Sequence, residues 1–356
     1  MANHFGNHFH IQIFGQSHAP SIGVIIEGLP AGFVPDWERV KHFMARRAPG
    51  QDAFSTSRKE ADLPEILSGL NEKGETCGAP LAIRIQNGDH HSADYAKLRD
   101  LPRPGHADFS AYAKFNGCND IRGGGQFSGR LTAPLCFAGA LAKQLLERKG
   151  IHIAAHISSI ADVQDKPFHP LTPELNELKD DRFCVLDAAK GEEMKQRIAQ
   201  AAKAGDSVGG IIECCATGLP AGLGDPMFDG VENRIAQMLF AIPAVRGVEF
   251  GAGFCAASMT GSTHNDPFIV TPDGIKTSTN HHGGVLGGIT TGMPLIVRMA
   301  VKPTPSIAKK QTTVSLESNT AADLSVTGRH DPCIVPRAVP VMEAAVSCVL
   351  YDLLAD

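Results

Sequence analysis

No run of about 18 apolar residues occurs in the chain, so nothing in it reads as a membrane-spanning helix. The opening "MANHFGNHFH" has no basic segment followed by an apolar one, and the expected compartment is the cytosol. Positive charge is not in surplus: the formal net charge is −5, which argues against a general nucleic-acid binder. An anionic ligand would then need a local cluster of arginines. The nine cysteines contain no CxxC pair, and Cys214 and Cys215 are adjacent in an apolar stretch, so reduced and mostly buried thiols are expected. Fifteen histidines include no HExxH or other metal spacing, and no metal is expected. The GxSxG elbow of many serine hydrolases is missing as well.

What is present fits a globular protein with a sizeable core, 43% hydrophobic and 20% charged over 356 residues. That length suits one large domain or two ordinary ones. No linker or low-complexity segment divides it, and residues 1–356 are taken as one unit. There is an internal echo. "SIGVIIEGLPAG" (21–32) recurs as "SVGGIIECCATGLPAG" (207–222), each reading as a buried strand running into a Gly-Pro turn.

Helices are placed by capping and period. Asp36 can cap "WERVKHFMARR", with Trp37, Val40, Phe43 and Met44 on one face; Thr132 can cap "APLCFAGALAKQLLERK", which Gly150 ends. "EEMKQRIAQAAKAG", "GVENRIAQMLFAI" and "VPVMEAAVSCVLYDLL" share the 3.6-residue period. Strands are read at Phe9–Ile13 and in "LAIRIQ", "IHIAAHI", "GGIIEC" and "PLIVRMAV". Helices do not follow every strand, so antiparallel or mixed sheets packed on helices fit better than a doubly wound parallel sheet. The class is α+β.

Four glycine-rich places compete for a site. "GAGFCA" (251–256) imitates a dinucleotide fingerprint but leads into turn material instead of a helix, and is rejected. "GGGQFSGR" (123–130) runs into a helix start, where backbone N–H groups and Arg130 make either an anion site or a plain turn and cap. "TNHHGGVLGGITTG" (279–292) lets backbone lie against a flat ligand or against a neighbouring strand. "KPTPSI" offers Lys302, Thr304 and Ser306 as a phosphate grip or as an ordinary polar edge.

Ser17 and His18 adjoin in "FGQSHAPSIG", where an extended backbone would point them to opposite faces and prevent a nucleophile–base pair. His106 in "RPGHADF" lies two residues before Asp108, a carboxylate that can hold an imidazole protonated. His90, His91, His281 and His282 read as surface residues. "GRHDPCIVPRAVP" gathers Arg329, Asp331 and Arg337, for which a structural ion pair is the plainer local reading.

Three motif regions in order, "FGQSHAPSIGVIIEGLPAG", "RPGHAD" with "RGGGQFSGRLTA", and "GGVLGGITTG…KPTPSI…GRHDPCIVPRAVP", resemble those of chorismate synthase from about His10 to the last helix. The resemblance implies a lyase of aromatic amino-acid biosynthesis. Such an enzyme turns 5-enolpyruvylshikimate 3-phosphate into chorismate and phosphate by 1,4-anti elimination, with reduced FMN. It implies a layered β-α-β sandwich of mostly antiparallel sheets around central helices, with an internal two-fold repeat, and a homotetramer. His18 matches the proton donor to the flavin, His106 the acid at the departing phosphate, Asp331 the aspartate that helps take up the substrate proton, and Ser17 and Ser128 the serines that orient them. FMN contacts fall on Gln126, Phe127, Ser128, Pro243, Ala244, Gly287, Lys302, Pro303, Thr304, Pro305, Ser306 and Arg329. Substrate anions fall on Arg46, Arg47, Arg130 and Arg337, and Arg47 also marks the NADPH position. NADPH would act indirectly, through a separate flavin reductase. A flavin- or phosphate-binding homologue without the elimination, and a flavin oxidoreductase, are the alternatives.

Several family cations are replaced. Ala48 takes the third place of an arginine run, Ala53 another basic place, Gln126 and Leu135 two arginine places, while Gln16 stands for a glutamate and Ala19 for a glycine. Substrate binding is expected to weaken unless Arg58, Lys59 or Arg122 compensates, and restoring arginine at Ala48 is expected to strengthen it.

Overall fold

The structure is a computed structural model that describes residues 3–50, 62–88, 98–178, 181–272, 274–326 and 331–355. The first half supplies β1 (His4–Phe5), β2 (Ile11–Gly15), β3 (Ser21–Ile26), α1 (Trp37–Arg47), β4 (Pro64–Ser68), β5 (Leu81–Gln86), α2 (Asp108–Lys114) and α3 (Thr132–Glu147). The second supplies β6 (His152–Ile160), β7 (Val163–Gln164), α4 (Ala188–Lys203), β8 (Gly210–Thr217), α5 (Val231–Ala241), β9 (Val245–Phe250) and α6 (Gly261–His264). Two small hairpins follow, β10 (Phe268–Thr271) with β11 (Gly274–Thr277) and β12 (Val285–Leu286) with β13 (Ile289–Thr290). β14 (Leu295–Val301), the hairpin of β15 (Gln311–Ser315) and β16 (Thr320–Leu324), and α7 (Val335–Leu354) complete the chain.

Two five-stranded sheets result, ordered β1-β2-β3-β5-β4 and β7-β6-β8-β14-β9, and every pairing in them is antiparallel. α3 packs on β2, β3 and β5 of the first sheet and on α7, which packs on β6 and β8 of the second. The helices therefore lie between the sheets. A helix so placed has no solvent face, and α3 and α7 are buried on nearly every side. They meet closely at Gly139, where a Cβ would stand 2.2 Å from that of Ala344. One hydrophobic cluster joins both sheets to the helix layer, with Ile22, Val24 and Ile83 on one side and Ile157, Ile212 and Met299 on the other. All nine cysteines are free thiols, six of them buried, and burial pushes Cys136 and Cys333 up to about 12.

The echoed segments became β3 and β8, the central strand of each sheet. The neighbours correspond as well, β2-β3-β5-β4 against β6-β8-β14-β9, with α1 following β3 and α5 following β8. Asp36 caps α1 as expected, its side chain accepting from Arg39 N at 3.1 Å. Thr132 is no cap. It is the first residue of α3, preceded by a 3-10 turn that Ser128 caps, Oγ accepting from Arg130 N at 3.2 Å. The first long strand runs from Ile11 to Gly15, two residues later than expected, and the last helix starts at Val335. No helix among the described residues is long and apolar enough to cross a membrane.

Candidate active site

Gly123, Gly124 and Gly125 take φ of 63°, 102° and 54°, a backbone that side chains disfavour. Their neighbours demand the same bareness. A Cβ on Gly123 would meet His18 Cε1 at 2.2 Å, and one on Gly124 would lie 3.2 Å from His106 Nε2. The triple glycine thus threads between the two histidines that the sequence singled out.

Ser17 and His18 depart from the sequence expectation. The strand ends at Gly15, the next residues form a turn, and Ser17 Oγ reaches His18 Nδ1 at 3.2 Å. The serine proton is directed elsewhere, because Oγ donates to the Arg122 carbonyl at 3.1 Å. The hydroxyl oxygen then accepts from Nδ1–H and orients the ring, so this is still no nucleophile with its base. Asn87 holds the turn, its Nδ2 donating to the Gln16 and Ala19 carbonyls at 3.0 and 2.8 Å.

His106 sits on the Pro104–Gly105 turn, its N–H donating to the Arg103 carbonyl at 3.2 Å. Its Nδ1 lies 2.5 Å from Asp108 Oδ1, and Arg103 grips the same carboxylate at 2.7 and 2.8 Å. Burial alone would raise the Asp108 carboxyl, but the bonds from Arg103 and His106 hold it well below the usual range. An ionised carboxylate only accepts, so Nδ1 carries the proton and the Arg103 nitrogen 3.1 Å away is a neighbour instead of a donor to it. Nε2 is left on the side of Gly124.

Arg47 and Arg130 converge on Asp62, one on each carboxylate oxygen. Further bonds fix both: Arg47 to Thr132 Oγ1 and the Gly129 carbonyl, Arg130 to Asn87 Oδ1 and the Gln86 carbonyl, at 3.0–3.3 Å. Burial raises the Asp62 carboxyl, and the two guanidinium groups outweigh it and bring it below its ordinary value. Arg337 donates to Asp331 at 2.6 Å and to the Arg47 carbonyl at 3.0 Å. Burial lowers its guanidinium, with Asp331 opposing.

These elements wall a cavity of about 650 Å³, within the usual range for a ligand site. Of the expected residues, Arg47, His106, Gln126, Phe127, Ser128, Arg130, Pro243, Ala244, Lys302, Thr304, Pro305, Ser306, Asp331 and Arg337 all line it. The cations on the wall are Arg47, Arg103, Arg130, Arg246, Lys302 and Arg337, six against the three carboxylates Asp62, Asp108 and Asp331 that pair with them among the described residues. A chain of net charge −5 therefore keeps a cationic hollow.

Other expected residues stand elsewhere. Arg46 is corrected: its guanidinium points into the interior and pairs with Glu343 at 2.7 and 3.2 Å, beside Lys143. Ser17 and His18 lie behind the Gly123 turn, not on the wall. Gly287 belongs to the tight turn between β12 and β13, and Pro303 faces outward between two lining residues. Ala48 is wholly buried and off the wall, and Arg182 donates to its carbonyl, so an arginine there would overpack instead of strengthening ligand binding. Arg122 pairs with Asp120 at the surface and does not compensate; Leu135 belongs to the core. Arg329, Ala53, Arg58, Lys59, His90 and His91 lie outside the described residues.

Sequence reading missed Asp62, Asn87 and Arg246. Arg103 carried a signal, three residues before His106 in the same turn motif.

The chorismate synthase family profile matches residues 9–355. A chorismate synthase of Dehalococcoides mccartyi is 46% identical over 354 residues, covering 99% of this chain and 96% of that protein. One from Thermococcus kodakarensis is 48% identical over 340 residues, covering 96% of this chain and 94% of that protein. A crystal structure of chorismate synthase superposes with a TM-score of 0.76 at 30% identity, covering 98% of this chain and 92% of that one.

Proposed function

The chain belongs to the chorismate synthase family, and from that premise we propose that it converts 5-enolpyruvylshikimate 3-phosphate to chorismate and phosphate by a 1,4-anti elimination dependent on reduced FMN. The observation that carries the reading is the surplus of positive charge on the cavity wall, six cations against three carboxylates, in a protein that is otherwise acidic. The proposed substrate bears two carboxylates and a phosphate.

The wall also suits a flat, polar cofactor. Gly123 presents bare backbone on the wall, and Thr304 Oγ1 is a buried hydroxyl without a hydrogen-bond partner among the described residues. Gln126, Phe127 and Ser128 on one wall, Pro243 and Ala244 on another, and the Lys302–Ser306 segment would hold FMN. When bound, reduced FMN supplies electron density for a slow allylic C–O cleavage and an acceptor for the departing hydrogen.

This chain's own groups do the rest. His106 meets the leaving phosphate through Nε2, while Asp108 accepts Nδ1–H and fixes the ring's orientation and tautomer. Asp331 offers a carboxylate at the wall for the substrate proton, held in place by Arg337. His18, oriented by Ser17, acts as donor from behind Gly123. NADPH enters only as the reductant of the flavin, in a separate step. The exposed apolar side chains of Phe268, Val270 and Ile275 on the β10–β11 hairpin support a homo-oligomer, for which we propose the tetramer.

The test is phosphate release from the substrate by purified protein with prereduced FMN and without oxygen. Stoichiometric phosphate and chorismate are expected. Flavin binding without phosphate would mean a binding protein, and net NADPH consumption with a second substrate an oxidoreductase.

A further inference from the structure

Helix α1 cannot complete its last turn from its own chain. The Ala48 N–H donates to the Met44 carbonyl at 3.1 Å, but the next residue is Pro49, which has no N–H to offer the Ala45 carbonyl. Guanidinium groups from elsewhere take over. Arg182 Nη2 donates to the Ala45 carbonyl at 2.5 Å and also to the Ala48 carbonyl, while Arg337 Nε donates to the Arg47 carbonyl at 3.0 Å. Cations suit this end, where the helix dipole is negative.

Arg182 reaches α1 from a fixed base. It belongs to the segment between β7 and α4, and the residues after it are pinned to the second sheet. Cys184 is buried, and its carbonyl accepts from Ile157 N of β6 at 2.8 Å. The Leu186 and Asp187 N–H groups donate to the Asp165 carboxylate at 2.6 and 2.9 Å. Asp165 in turn lies 3.2 Å from Nδ1 of the buried His156 on β6. The tie to the helix runs both ways, since Arg46 Nε donates to the Asp181 carbonyl at 3.3 Å. Burial lowers the Arg337 guanidinium, and the nearby charges of Arg47 and Arg182 add to it, so three cations gather at this helix end. Arg182 nevertheless does not line the cavity.

We infer that Arg182 is a positioning residue for Arg47, capping the end of α1 from behind and so fixing where the Arg47 guanidinium enters the cavity. The inference rests on the reading of Arg47 as a contact for the substrate's anions. Arg47 is the last residue of α1, and helix ends fray where their carbonyls lack partners. Arg337 holds one of the three carbonyls and Arg182 the other two. Without Arg182 the turn that carries Arg47 would loosen, and a charged contact depends on its geometry.

The experiment measures phosphate release with prereduced FMN, and amide hydrogen exchange, on the full chain and on Arg182→Gln. The side chain is half-buried and the other bonds of its segment remain, so the variant should fold. KM for the substrate is expected to rise on the order of 10-fold with kcat little changed, and the 46–48 amides to exchange faster. Arg182→Lys, whose one nitrogen can serve both carbonyls as Nη2 does, should restore most of the KM. In an Arg47→Gln background, Arg182→Gln should add nothing further, because the two residues act as one unit. A lower melting temperature with KM unchanged makes Arg182 a structural residue only and overturns the inference. So does a KM rise that adds in full to that of Arg47→Gln. A wild-type chain that releases no phosphate fails at the function reading itself, and exchange then decides alone: faster 46–48 amides in Arg182→Gln sustain the positioning of this helix end, and unchanged ones overturn it.

Discussion

Arg46 and Arg47 are consecutive residues of one helix, both buried, each paired to a carboxylate, and they belong to different parts of the molecule. One position along a helix turns a side chain by about 100°. Arg46 goes to Glu343 in the helix layer, where Lys143 joins from α3 and ties α1, α3 and α7 together. Arg47 lines the cavity wall and pairs with the buried Asp62, where Arg130 joins from the turn that precedes α3. Each cluster has two cations on one carboxylate. What separates them is the space in front: the first faces packed helices, the second a hollow that admits an anion. Burial and pairing are thus poor guides to function by themselves, and the site is recognised by charge left over where a ligand fits.

The largest effect expected from this contrast is on stability. Glu343→Gln strands Arg46 and Lys143 without an anion, which should cost about 3–5 kcal/mol in denaturant unfolding. KM and FMN affinity of the folded enzyme should stay put. A loss of KM with stability intact would place Glu343 in the site instead. Next comes Asp331→Asn, which keeps shape but removes basicity. Turnover should fall on the order of 100-fold while flavin and substrate still bind. A variant that does not fold would make Asp331 a structural partner of Arg337 only.

Smaller again is the arginine pair itself. Arg47→Gln should raise KM for the substrate about 10-fold, the scale of one charged hydrogen bond, and the effect should shrink with salt. Arg46→Gln should leave KM alone. Equal KM values for the two variants would erase the distinction between the clusters. The smallest effect is acid sensitivity. Burial raises the Glu343 carboxyl, but Arg46 and Lys143 outweigh it and bring it from 4.5 down to about 2. A depressed carboxyl stabilises the fold fully above its unfolded value and loses that contribution as pH falls toward the folded one. By about pH 4 the loss should be only about 1 kcal/mol. Melting temperature against pH measures it, and Glu343→Gln should flatten the slope. A slope unchanged by that substitution would assign the acid sensitivity to other groups.

Much of the site was legible because its chemistry is local. The triple glycine announces backbone that tolerates no side chain, and Pro104, Gly105, His106 and Asp108 spell a turn that presents an imidazole to a carboxylate. Strands with one partly wetted face, such as "LAIRIQ", fell where alternation put them, at Leu81–Gln86. Asp62 was not legible: its partners are 15 and 68 residues away, and nothing near it marks it as shared. Nor was the meeting of Ser17 with His18, because the strand stopped one turn short of where alternation would have kept them apart. Arg246 depends on a register shift between two strands, which no local pattern records. The two sheets have corresponding strand orders, which no local pattern beyond the echo of residues 21–32 in 207–222 records.

The most direct measurement is phosphate release from 5-enolpyruvylshikimate 3-phosphate by wild type and His106→Ala, each with prereduced FMN. Removal of a positioned acid should slow release on the order of 100-fold or more, with FMN affinity near that of wild type. Release at the wild-type rate would contradict the assignment of this cavity, and of the imidazole held by Asp108 at its wall, as the place where the phosphate leaves.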